Sequence, residues 1–164
     1  MTIINKCKLS IIMLICFSLL FCACTAPAQM MPEFTLENAK NGQKVDSSEF
    51  ADQVRLVAFF ATWCPPCIKE IPSLVDLQEK YKTKGFSVIA ISVDESTNAV
   101  RQIMDKTGIN YPVLMANNQI VRDFGGISNI PVSFLIDRNG EVVKKYTGYV
   151  PHSVLESDLL EIIE

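Results

Sequence analysis

The sequence predicts an α/β fold, a central mixed β-sheet flanked by helices and opened by an N-terminal β-hairpin. Three observations predict it. Two apolar runs of buried-strand type, 55–61 and 86–93, are separated by a stretch of helical periodicity. Two turn signals, Asn41-Gly42 and Asp137-Arg138-Asn139-Gly140, each join short extended segments. A Cys64-Pro65-Pro66-Cys67 motif stands where the first apolar run passes into the helical stretch.

The elements follow in order. Residues 33–37 and 43–45 are the arms of the first hairpin. Residues 55–61 form a buried strand. Residues 65–84 are helical, with Leu74, Leu77, Gln78 and Tyr81 on one face and Gly85 as the stop. Pro65 and Pro66 suit a first turn, whose N–H groups have no helical acceptor. Residues 86–93 are the second buried strand. Val100, Ile103, Met104 and Thr107 mark a helix ended by Gly108. Residues 111–115 make a short strand and 119–124 a short helix. Residues 132–136 and 141–146 flank the second turn. From Pro151 onward Leu155, Leu159 and Ile162 line a closing helix. Phe60 and Tyr149 read as core, and His152 as a surface residue at a helix start.

Composition bounds what such a fold does. A chain of 164 residues, 49% hydrophobic and 20% charged, suits one domain with a real core. A net charge of -3 gives no electrostatic reason to expect nucleic acid. The six cysteines are uneven: Cys7, Cys16, Cys22 and Cys24 fall near the start, and only Cys64 and Cys67 lie in the body.

The first segment accounts for that split. Lys6 and Lys8 form a basic region, and 9–23 is apolar except for Ser10 and Ser18. This run is shorter than the roughly 20 residues a bilayer span prefers, and small residues follow it. It reads as an export signal. Leu20-Phe21-Cys22-Ala23-Cys24 looks like a bacterial lipobox, with Phe21 where Leu is usual, so cleavage before Cys24 and lipidation of that residue are expected. Cleavage after Ala26-Pro27-Ala28 and retention as an anchor are the competing outcomes. All three place the domain outside the cytoplasm, where a disulfide persists. The expected division is a signal over 1–23, a tether over 24–31 and one domain over 32–164. Loss of Lys6 and Lys8 takes the 15 basic residues to 13 against 18 acidic, a net of -5. A domain so charged does not cling to an anionic membrane unaided, so a lipid anchor would have to hold it there.

The Cys pair carries chemistry by its position. Cys64 stands at a helix N-terminus, where the local partial positive charge favours thiolate. Cys67 lies three residues on, within reach of a disulfide. A bridge that closes so short a loop removes little chain entropy and is a poor structural staple. Zinc requires more ligands than two thiols and His152, so no metal is expected.

Trp63-Cys-Pro-Pro-Cys67, Lys69-Glu-Ile-Pro72, Gly85-Phe86 before a strand ending Ser92-Val-Asp-Glu95, and Ile130-Pro131 leading into Asp137-Arg-Asn-Gly140 together resemble the thioredoxin-like proteins of the TlpA/ResA type. The match runs in order over about residues 32–164. It implies a thioredoxin-like fold with an inserted αβ element, which 96–115 fits. It implies an extracytoplasmic, membrane-tethered thiol–disulfide oxidoreductase with Cys64 as nucleophile and Cys67 as resolving thiol. Protein thiols and disulfides would be its substrates, for example in cytochrome c maturation, and a membrane protein of the DsbD/CcdA type its electron donor. No cofactor is expected, and the domain is expected to be a monomer.

The resemblance also assigns further residues. Thioredoxin itself carries a buried acid on the strand before the motif, where this chain has Ala58; the TlpA/ResA group has a Glu just after the second Cys, here Glu70. Glu70 would then exchange a proton with Cys67, the alternative being a surface residue beside Lys69. Pro131 matches the cis-proline that faces the disulfide, and with Ile130 it would present backbone to a bound peptide. Trp63 either contacts partners or packs at the edge of the site. Two other functions share this scaffold. A peroxiredoxin-type peroxidase would carry Pro-x-x-x-Thr before its nucleophile, a pattern that Trp63 and the prolines break. A non-catalytic binding module would not need Cys64, Cys67 and Pro131 together.

Overall fold

The structure is a computed structural model and describes residues 29–163; the expected signal and Cys24 lie outside them. Among these residues seven strands and four α-helices alternate: β1 (Thr35–Asn38), β2 (Lys44–Asp46), β3 (Val54–Phe60), α1 (Pro65–Tyr81), β4 (Phe86–Ser92), α2 (Thr97–Thr107), β5 (Val113–Met115), α3 (Asn118–Asp123), β6 (Val132–Ile136), β7 (Val142–Thr147) and α4 (His152–Leu160).

The strands form one mixed sheet in the order β2-β1-β5-β4-β3-β6-β7. β3, β4 and β5 run parallel, with Ala58 opposite Ala90 and Ala90 opposite Val113. β6 returns antiparallel on β3, and β7 on β6. The inserted β5 lies between β4 and β1, so it gives the N-terminal hairpin an edge to pair with.

β3 and β4 are buried along their whole length, as two-sided apolar runs must be. Their side chains alternate between two cores. Leu56, Ala58, Phe60, Val88 and Ala90 face Leu74, Leu77 and Tyr81 of α1, with Leu155 and Leu159 of α4. Val57, Phe59, Ile89 and Ile91 face the opposite layer, with Phe124, Phe134 and Ile120. There Phe59 meets Phe124 edge-on at 5.1 Å between centroids. Such a pair adds about 0.5–1.5 kcal/mol beyond its burial.

The departures from expectation are local. β1 begins at Thr35 rather than at 33. A 3₁₀ turn over Ser47–Phe50 was not anticipated, although Asp46-x-x-Glu49 is a capping-box pattern: Asp46 accepts from the Ser48 N–H, and Glu49 accepts from the Asp46 N–H. Tyr111 and Pro112 lie before β5, not in it. Tyr149 is not core; it is 38% exposed, with the Lys69 ammonium 4.4 Å above its ring. Residues 29–31 lie along the β6–β7 turn, where Val142 donates to the Gln29 carbonyl and Met31 to that of Gly140, both at 2.8 Å.

Candidate active site

β3 ends at Phe60, and four residues later Cys64 caps α1 in extended conformation. Three hydrogen bonds define its place. Its N–H donates to Ala61 at 3.2 Å, its carbonyl accepts from Ile68 at 3.1 Å, and its Sγ accepts the Cys67 N–H at 3.4 Å. The last of these aims a helix N–H at sulfur, an arrangement that favours thiolate over thiol. Cys64 and Cys67 are joined as a disulfide, with Cα atoms 5.3 Å apart. Exposure barely separates them, at 4% and 2%. The capping position distinguishes them instead: only Cys64 receives the helix N–H.

One turn further on, Glu70 points inward. It is 2% exposed, not the surface residue that its place beside Lys69 also allowed. Its Oε1 accepts the Val150 N–H at 3.1 Å. Burial raises its pKa above the ordinary carboxylate range, and the Val150 bond opposes that only in part. Glu70 shares a small cavity of about 10 Å³ with Cys67, Ala58, Ala90 and Tyr111. That space is about the size of one water.

The outer rim is built differently. Trp63 is 69% exposed. It lines a groove of about 660 Å³ with Ile130, Val93, Glu95 and Ile127. The Ile130–Pro131 peptide is cis. Pro131 is buried, one step beyond Val132, which pairs with Phe59 at the end of β3. The Pro131 carbonyl accepts from Gly148 at 2.8 Å. Ile130 packs against the core cluster that contains both cysteines.

Cys64, Cys67, Glu70, Trp63, Ile130 and Pro131 therefore gather at one end of the sheet, the C-terminal ends of β3 and β4. Cys24 lies outside the described residues. Among the described residues no three His, Cys, Asp or Glu side chains converge as a metal site requires.

Three contributors were not singled out from sequence. Asp94 accepts from the Thr62 N–H at 2.9 Å, the Thr62 hydroxyl at 2.6 Å and the Ser92 hydroxyl at 2.7 Å, and so ties the loop before Cys64 to the end of β4. Val150 bonds to Glu70 and Tyr111 lines the same cavity, both from distant segments. The Ser92-Val-Asp94 strand end was a readable signal for the first; nothing local marks the other two.

The Redoxin family pattern matches residues 26–163. The thiol–disulfide oxidoreductase ResA of Bacillus subtilis (strain 168) is 34% identical over 133 residues, 81% of this chain and 73% of that protein. Among solved structures, a thioredoxin-family thiol:disulfide interchange protein from Chlorobium tepidum TLS superposes with a TM-score of 0.78 at 33% identity, covering 85% of this chain and 99% of that one. A thiol:disulfide interchange protein DsbE from Chlorobium tepidum gives 0.77 at 32%, covering 84% and 97%. With its helix-capping Cys64 bridged to Cys67 on a thioredoxin-like sheet, the chain belongs to the Redoxin family, as a thioredoxin-like thiol–disulfide oxidoreductase of the ResA kind.

Proposed function

We propose that the protein works outside the cytoplasm as a reductant of protein disulfides. The observation that carries this reading is the Cys64 sulfur receiving the Cys67 N–H, with Glu70 closed in beside Cys67. In the reduced form Cys64 thiolate attacks a partner disulfide; a mixed disulfide forms, and one partner sulfur leaves as thiolate. Cys67 then gives its proton to Glu70 and attacks Cys64 Sγ. The intermolecular bond breaks, the second partner thiol is released, and the enzyme is left as the Cys64–Cys67 disulfide. Two electrons pass to the partner. A membrane dithiol donor of the DsbD/CcdA type would restore the reduced form, and oxidised Cys pairs of apocytochromes c are the substrates that the likeness to ResA favours.

Trp63 and Ile130 supply the rim on which a partner peptide would lie, and Pro131 the backbone beneath it. The segment ending in Cys24 supports export and lipid anchoring; a labelled fatty acid should enter the wild type and not Cys24→Ala. Cys67→Ser should accumulate covalent complexes with an oxidised partner on non-reducing gels, because Cys64 attacks and nothing resolves. Cys64→Ser should give none. Equal trapping by both variants would overturn this division of roles.

A further inference from the structure

Tyr111 belongs to the inserted segment, yet it lines the cavity that Cys67 and Glu70 share. Two contacts hold it there. On one side the Asn110 side-chain amide donates to the Val75 carbonyl of α1 at 3.1 Å. On the other, the Pro112 carbonyl accepts from Ala90 of β4 at 3.0 Å. The ring is thereby placed between helix and sheet and is 6% exposed. The space it enters exists because Ala58 and Ala90, paired across β3 and β4, are small.

We propose that Tyr111 is a positioning residue that sets the protonation of Glu70 from across this shared cavity. The other groups facing Glu70 there are Cys67 on its own helix and the Val150 N–H; the sheet side offers only apolar side chains. Among the described residues no cation lines this cavity, so the phenol is the polar side chain there that can answer its charge. Burial, and then the Glu70 carboxylate, hold the Tyr111 hydroxyl well above its ordinary pKa. It therefore keeps its proton at any pH where thiol exchange runs, and presents a permanent O–H dipole. A dipole with its positive end toward Glu70 favours the carboxylate and so opposes the desolvation that favours the acid. With room for about one water in the cavity, bulk solvent does not screen that interaction.

The consequence for the reaction rests on the reading of Glu70 as the proton acceptor for Cys67. Glu70 must be ionised to take that proton, and Tyr111 keeps it so to lower pH.

The test uses the full chain. In the oxidised protein, ¹³C resonances of the glutamate carboxyls are followed against pH, Glu70 being the one missing from Glu70→Gln. Tyr111→Phe keeps the ring that fills the space and removes only the hydroxyl. The Glu70 midpoint should rise by about half a pH unit, roughly threefold in the ratio of acid to carboxylate. The pH profile of mixed-disulfide release should move upward with it, and Tyr111→Phe should have no effect on release in the Glu70→Gln background. An unmoved or lowered midpoint overturns the role of Tyr111. A release profile for Glu70→Gln that superimposes on wild type overturns the role of Glu70 as acceptor instead, and it is read from a different variant.

Discussion

Arg55 and Glu70 are the two charged side chains buried among the described residues, 5% and 2% exposed, and they mark opposite ends of β3. Their surroundings differ in kind. Arg55 stands where β3 begins, under the β6–β7 turn. Its guanidinium donates to the Asp137 carbonyl at 2.8 Å, and although burial pulls its pKa down, Asp137 and Asp52 pull it back. Its Nε has no partner among the described residues. An arginine so compensated stays charged at every relevant pH, so it can hold a turn but cannot exchange a proton. Glu70 has one backbone N–H and, among the described residues, no opposite charge beside it. Its charge is the one that can appear and disappear. A buried charge with opposite charges nearby serves the frame; one without them is available for chemistry.

The largest effect that would sharpen this contrast is kinetic. Glu70→Gln should slow mixed-disulfide release by on the order of 10²-fold, the ordinary worth of a positioned general base. The loss should grow as pH falls and less Cys67 thiolate forms unaided, and shrink again once Glu70 itself takes up a proton. Arg55→Met should leave that rate unchanged. Slowing by both variants would show that the two ends are not separable.

Stability should show the reverse. Arg55→Ala removes a buried stem and the bond to Asp137, and should cost about 2 kcal/mol in a denaturant titration. Glu70→Gln should be more stable than wild type near neutrality. Its effect should depend on pH, with a sign set by the raised pKa of Glu70 in the fold. Below the unfolded-state value, about 4.3, both proteins are neutral at this position and the difference should vanish. As pH rises through the window up to the folded-state value, the wild type loses stability, because unfolding lets the carboxyl release its proton. The Gln variant does not. Denaturation midpoints of both proteins at about pH 4 and about pH 8 check this. A pH-independent gap would mean that Glu70 is as well solvated as a surface residue.

The smallest effect belongs to the rim. Trp63 is 69% exposed, so Trp63→Ala should change stability by no more than about 0.5 kcal/mol. In the Cys67→Ser background it should lower the yield of trapped complex, as loss of a partner contact would. A stability loss of a core aromatic's size would place Trp63 with the frame instead.

Features set by local neighbours are legible in the sequence. The capping of α1 by Cys64 with Pro65 and Pro66 behind it, the stops at Gly85 and Gly108, and the buried runs that became β3 and β4 all rest on neighbours within one or two turns. The strand that became β5 was placed too early, because Tyr111 and Pro112 have strand-like composition while their contacts belong to the cavity and to Ala90. Tyr149 was misread as core for the same reason: an aromatic side chain does not state which way its loop turns it.

The sequence by itself therefore determined the order of elements, the identity of the reactive pair and which cysteine takes the helix N-terminus, because periodicity, capping and spacing are short-range. Only the tertiary structure decided that Glu70 is sealed from water. That required Ala58 to lie opposite Ala90, the inserted segment to bring Tyr111 over α1, and the chain before α4 to deliver the Val150 N–H. Each of these comes from a segment remote in sequence, and a residue's dielectric surroundings are a property of all its neighbours at once.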